Sequence, residues 1–108
     1  MILAKKESSI QGPVTKYAKS LGIRCDKLST GSRFQKSGLP DYIFWIYGGQ
    51  PLLIEFKAPG KETTVLQEDT ISQLRGLRYA VYVIDNVLEG KRLLDAAMGT
   101  SQVPKKIR

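Results

Sequence analysis

DYIFWIY, GGQP and LLIEFK, the consecutive residues 41–57, decide the fold. The first run, residues 41–47, is dense in aromatic and β-branched side chains, which favour a pleated, half-buried strand. Two glycines and a proline at 48–51 cannot continue it and instead make a turn. Residues 52–57 return as a second strand with a clear alternation: Leu52, Ile54 and Phe56 face one way, Leu53, Glu55 and Lys57 the other. A hairpin follows, apolar on one face and carrying charge at the far end of the other. Ala58-Pro59-Gly60 ends it.

Helical periods flank the hairpin. Upstream, Ile10, Val14, Tyr17, Ala18 and Leu21 recur at helical spacing, predicting a helix over residues 7–21 that stops at Gly22. Gly12-Pro13 interrupts this pattern, so the helix either kinks there or begins near Pro13 after a short turn. Residues 23–28 suit a short strand, and 29–40 a Ser- and Gly-rich loop. Downstream, residues 64–77 predict a helix capped by Thr63 or Thr64, with Leu66, Ile71, Leu74 and Leu77 toward the core. AVYVI at 80–84 is a further strand, and 86–98 a last helix, weakened by Gly90. Trp45 and Phe44 are expected in the core. The order helix-strand-strand-strand-helix-strand-helix is that of an α/β domain with a mixed sheet.

The chain's 108 residues suit one domain, 1–108, with 101–108 a loose basic tail. No apolar run approaches the ~20 residues that span a bilayer, and no apolar stretch follows the first lysines as in a signal peptide. A single cysteine, Cys25, has no internal partner for a disulfide, which favours a reducing compartment. The expected setting is the cytoplasm of a bacterial or phage-infected cell, or the nucleus, without secretion or a membrane. Histidine is absent, which removes Ser-His-Asp and Cys-His nucleophiles and the usual zinc sites. Any metal must be held mainly by oxygen. The 17 basic against 10 acidic residues give a net charge of +7, which favours a polyanionic partner such as nucleic acid.

The chemistry concentrates in Asp41, Glu55 and Lys57. Asp41 opens one hairpin strand while Glu55 and Lys57 close the other, so antiparallel pairing brings these ends together, with the register left open. Two neighbouring carboxylates repel unless a proton or cation sits between them. Mg²⁺ suits such a pair because it keeps several waters and binds through one or two carboxylates plus a substrate phosphate. That arrangement serves phosphodiester hydrolysis, with the backbone carbonyl of Phe56 as a further oxygen ligand and Lys57 holding the water or the developing charge.

Gly38-Leu39-Pro40-Asp41 followed by Glu55-Phe56-Lys57 resembles the PD-(D/E)xK nuclease superfamily, and more narrowly its VRR-NUC (virus-type replication-repair nuclease) group. Members of that group resemble this chain in an acidic residue on the first helix, here Glu7, and a glutamine on the helix after the E-x-K strand, here Gln67. Gly60 and Lys61 also suit the group, and the resemblance spans residues 7–85. It implies a restriction-endonuclease-like core, dependence on Mg²⁺ or Mn²⁺, and action on DNA in repair or recombination. The catalytic set it implies is Glu7, Asp41, Glu55, Lys57 and Gln67, with Asp41, Glu55, Phe56 and Glu7 toward the metal. Arg33, Lys36 and Lys61 flank this set as candidate phosphate contacts.

The expected activity is structure-selective endonucleolytic cleavage, of branched DNA such as four-way junctions. One small domain presents one cutting centre, so a homodimer is expected for a two-fold junction. Its interface would use the hairpin tip at 47–52 or the last helix at 87–98. The alternative is a non-catalytic nucleic-acid-binding module that kept the fold; paired carboxylates beside a phosphate weigh against it.

Overall fold

The computed structural model describes residues 6–28 and 38–99. The element order is the expected one: α1 (Ser8–Ser20), β1 (Arg24–Lys27), β2 (Tyr42–Ile46), β3 (Gln50–Phe56), α2 (Val65–Gly76), β4 (Ala80–Ile84) and α3 (Val87–Gly99). The strands form one sheet in the order β1-β2-β3-β4. β1–β2 and β2–β3 are antiparallel, whereas β4 runs parallel to β3 because α2 crosses over between them.

The alternation in β3 becomes two cores on opposite sheet faces. Leu52, Ile54 and Phe56 join Phe44 and Ile46 of β2 beneath Ile10, Val14 and Ala18 of α1 and Leu94 of α3. Leu53 turns to the other face and packs with Val81 of β4 and Ile71 of α2. The second core is smaller, and α2 carries less of it than its leucines suggest. Leu74 packs at its margin, but Leu66 is 46% and Leu77 69% exposed. Only Ile71 is buried along α2, which touches the sheet through a narrow stripe.

α1 contains Pro13 inside one continuous helix rather than starting at it. Proline removes a single donor, and here it stands on the exposed side, where water can serve the carbonyl left over. Gly90 proves to be a packing residue. A Cβ there would lie 2.7 Å from Val14 Cγ2, so its absence lets α3 close onto α1. Trp45 departs from expectation: Phe44 is fully buried, but Trp45 is 49% exposed, its indole Nε1 donating to Asp26 Oδ2 at 2.7 Å.

β4 forms one edge of the sheet. Lys57 N–H donates to the Ile84 carbonyl, so alternate residues of β4 bond inward to β3 and Val81 points its carbonyl outward. Arg75 of α2 covers that carbonyl with Nε at 3.1 Å and Nη2 at 2.8 Å. Among the described residues, no helix is long and apolar enough to cross a membrane.

Candidate active site

The ladder register supplies the geometry that the sequence leaves open. Tyr42 pairs with Ile54, so one further step sets Asp41 opposite Glu55. Both then stand on the α2 face at the end of the hairpin. The next position on the ladder falls to Pro40, which has no N–H to return to the Phe56 carbonyl. The Phe56 N–H is taken instead by the Asp41 side chain, whose Oδ2 accepts it at 2.8 Å. A residue's N–H and C=O point the same way along a strand edge, so the Phe56 carbonyl is directed toward the Asp41 side.

Gly38 explains how the loop enters this corner. Its φ is +67°, and a Cβ would lie 2.8 Å from both the Leu66 carbonyl and Thr70 Oγ1. A side chain is therefore refused twice, by backbone conformation and by the close approach of α2. The first residue of the Gly-Leu-Pro-Asp run thus seats the loop against the helix, three residues before the carboxylate.

Glu55 is 2% exposed and Asp41 9%. Lys57 Nζ lies 3.2 Å from Glu55 Oε2, and Gln67 Nε2 donates to the same oxygen at 2.9 Å. Among the described residues, nothing hydrogen-bonds the buried Glu55 Oε1. Burial, reinforced by the charge of Asp41, outweighs the help from Lys57 and pushes the Glu55 carboxyl up to about 7. Asp41 is also raised by burial, against the opposing pull of the Phe56 N–H, Lys57 and Lys27.

Glu7 sits where α1 starts but does not cap it. Its side chain accepts from Gln11 Nε2 at 3.1 Å. Burial and then Asp41 raise its carboxyl, while Lys57, Gln11 and Lys27 oppose them. The five residues Glu7, Asp41, Glu55, Lys57 and Gln67 thus converge through contacts or mutual charge effects.

Lys61 is not part of this cluster. It is exposed and lines an open hollow of about 420 Å³ with Glu62, Thr63, Glu68 and Val83. Arg33 and Lys36 lie outside the described residues. Lys27 was missed from sequence. It ends β1 opposite Tyr42, and Leu28 N–H donates to the Asp41 carbonyl at 2.7 Å, so its charge acts on both Asp41 and Glu7. Only the β1–β2 register reveals it.

No protein-family model matches the chain, and no curated protein sequence matches it. Among solved structures, one described as "VRR_NUC domain" superposes with a TM-score of 0.71 over 85% of this chain and 97% of that one, at 24% identity. The fold is that of a VRR_NUC domain. At this identity the likeness speaks for architecture: among the described residues, a four-stranded mixed sheet with three helices. The roles of individual residues rest on the site itself. In this VRR_NUC-like fold the acidic pair occupies the end of the β2–β3 hairpin, between the start of α1 and the first turn of α2.

Proposed function

We propose that the chain is a metal-dependent DNA endonuclease of the VRR-NUC group, hydrolysing phosphodiester bonds at the Asp41–Glu55 pair. The observation that carries this reading is Glu55: a buried carboxylate opposite a second carboxylate, with one oxygen held by Lys57 and Gln67 and the other without a partner among the described residues. A native fold rarely leaves a buried carboxylate oxygen unsatisfied unless something else binds it. A divalent cation fits that donor set. Among the described residues, no group of three or more His, Cys, Asp or Glu could hold an ion unaided. Mg²⁺ does not require one, since two carboxylates, a carbonyl and waters suffice.

Asp41, Glu55 and the Phe56 carbonyl would hold Mg²⁺ or Mn²⁺, with Glu7 adding negative charge behind them. When bound, the ion supplies a Lewis acid for the phosphoryl oxygen and favours ionisation of an attacking water. The protein's own groups do the rest. Lys57, held 3.2 Å from Glu55 Oε2, positions the water or neutralises charge on the phosphorane. Gln67 holds Glu55 in one orientation. Lys27 adds a cation on the far side of Asp41, where a phosphate backbone approaches. The net charge of +7 supports a polyanionic substrate.

The finer reading is structure-selective cleavage of branched DNA, in repair or recombination, by a homodimer. One site per chain and the two-fold symmetry of a four-way junction support it. The test is a cleavage assay on single-stranded, duplex, flap and four-way DNA, with Mg²⁺, Mn²⁺ or EDTA, alongside sedimentation with and without junction. Cleavage with metal and none in EDTA is expected, with junctions preferred and a dimer in solution. Tight DNA binding without cleavage in either metal would overturn the enzyme reading in favour of a binding module. A monomer that cuts duplex as readily as junctions would overturn only the finer one.

A further inference from the structure

α2 begins with a reciprocal cap. Thr64 Oγ1 accepts the Gln67 backbone N–H at 3.2 Å, and Gln67 Oε1 accepts the Thr64 backbone N–H at 2.9 Å. Such a capping box normally serves the helix alone, satisfying two N–H groups that have no partner within it. Here the glutamine has a second task, because its Nε2 donates to Glu55 Oε2 at 2.9 Å.

The chemistry of the amide joins the two tasks. A glutamine side chain has one acceptor end and one donor end. With Oε1 spent on the Thr64 N–H, the NH₂ must face the carboxylate. Turning the amide over would set its oxygen against Glu55 and its NH₂ against the Thr64 N–H, unfavourable at both ends. The cap therefore selects the amide orientation that Glu55 needs. Glu55 in turn has Oε2 engaged by Gln67 and Lys57, and Oε1 left over.

We propose that Thr64 is a positioning residue: its Oγ1 fixes the Gln67 backbone N–H and with it the first turn of α2, which keeps the Thr64 backbone N–H on the Gln67 amide, and that amide holds Glu55 Oε2 and leaves Oε1 for the cation. This rests on the reading of Glu55 as a metal-holding carboxylate. Groups that orient a metal's ligands typically change metal affinity or activity by about 10- to 100-fold when removed. Thr64 acts at one remove and belongs at the lower end, about 10-fold.

Thr64→Ala, Thr64→Ser, Gln67→Ala and the double variant Thr64→Ala/Gln67→Ala separate this role from helix capping. Thr64→Ala should raise the Mg²⁺ concentration for half-maximal cleavage about 10-fold, and Thr64→Ser should restore it. In the Gln67→Ala background, Thr64→Ala should have no further effect on that concentration, yet should still lower the melting temperature. Independently of cleavage, the Gln67 side-chain NH₂ should give a pair of ¹H–¹⁵N NMR signals displaced from the positions of a solvated amide in the wild type and in Thr64→Ser. In Thr64→Ala both should move toward those solvated positions. Unchanged Gln67 signals in Thr64→Ala would overturn the proposal, as would an equal metal effect of Thr64→Ala with and without Gln67. If the wild type cuts no DNA, the nuclease reading falls, and the NMR comparison still decides whether Thr64 holds the amide.

Discussion

Asp26 and Glu55 are carboxylates on the same face of the same sheet, each with a cation and an N–H donor close by, and they behave oppositely. Asp26 accepts from Arg24 at 2.9 and 3.2 Å and from Trp45 at 2.7 Å, in the open. These partners, Arg24 first, hold its carboxyl below the usual value. Glu55 accepts from Gln67 at 2.9 Å and meets Lys57 at 3.2 Å, yet its carboxyl rises to about 7. The inventory of partners is similar, so burial and the facing Asp41 make the difference. An exposed pair has water for every remaining lone pair; a buried one has only what the fold provides. The exposed cluster has all its partners in view, and the buried one keeps an oxygen that the described residues do not satisfy.

The comparison breaks most visibly in cleavage. Asp41→Ala, Glu55→Ala and Lys57→Ala should each lower the Mg²⁺-dependent rate by at least ~100-fold, with circular dichroism unchanged. Asp26→Asn should leave it as it was. A folded Glu55→Ala protein that cuts at the wild-type rate removes Glu55 from the chemistry.

Stability against pH should separate the two carboxylates next. Glu55 has a native pKa of about 7 against 4.5 for the ordinary group, so the folded state holds its proton over that interval when the unfolded state does not. Stability is therefore greatest below the lower value and falls as pH rises through about 7. The loss from Glu55 alone is on the order of 3 kcal/mol, and Asp41 and Glu7, both raised, add in the same direction. Asp26, held low, works the other way: its contribution is present at neutral pH and lost in acid. Urea melts in EDTA between pH 4 and 9 should show the neutral-side loss, and Glu55→Gln should flatten it. An unchanged profile for Glu55→Gln would place the buried charge elsewhere.

Gly38→Ala probes the wall of the buried site rather than its charges. The added Cβ meets the Leu66 backbone at 2.8 Å in a left-handed conformation, so a cost of about 1–3 kcal/mol is expected, with slower cleavage as Asp41 shifts. Gly90→Ala, meeting Val14 at 2.7 Å on the other face, should cost stability while sparing the rate of the folded fraction. Equal effects of both on cleavage at matched folded fraction would sever Gly38 from the site.

The smallest effect concerns the two basic residues of β1. Lys27 acts by its charge on Asp41 and Glu7 and makes no ion pair among the described residues, whereas Arg24 is tied to Asp26. If the site admits a DNA backbone, Lys27→Ala should reduce the slope of log affinity against log salt by ~0.9 on duplex DNA, and Arg24→Ala by less. Equal slopes for the two variants would show that the backbone passes elsewhere.

Much of this was readable beforehand, because the β3 alternation and the hairpin turn are strong local signals. Leu53, Glu55 and Lys57 share a face in any strand, and a hairpin brings Asp41 back to them. Thr64 was one of two candidate caps. The failures share a cause. Leu66 and Leu77 have helical spacing, but only the angle at which α2 meets the sheet decides which leucines touch it. Trp45 looks like core until β1 offers Asp26 to its indole. Lys27 depends on the β1–β2 register, which pattern alone does not specify, and the same gap left open which residue stands opposite Glu55. Pro13 signals a break that an exposed helix side tolerates.

Arg75 has a consequence for how copies of the chain can meet. Its guanidinium lies on the Val81 carbonyl that a newly added strand would need, where β4 ends the described sheet. A neighbour extending the sheet past β4 would first have to displace that side chain and supply another partner for it. The arginine thus acts as a stopper against strand-to-strand stacking past β4.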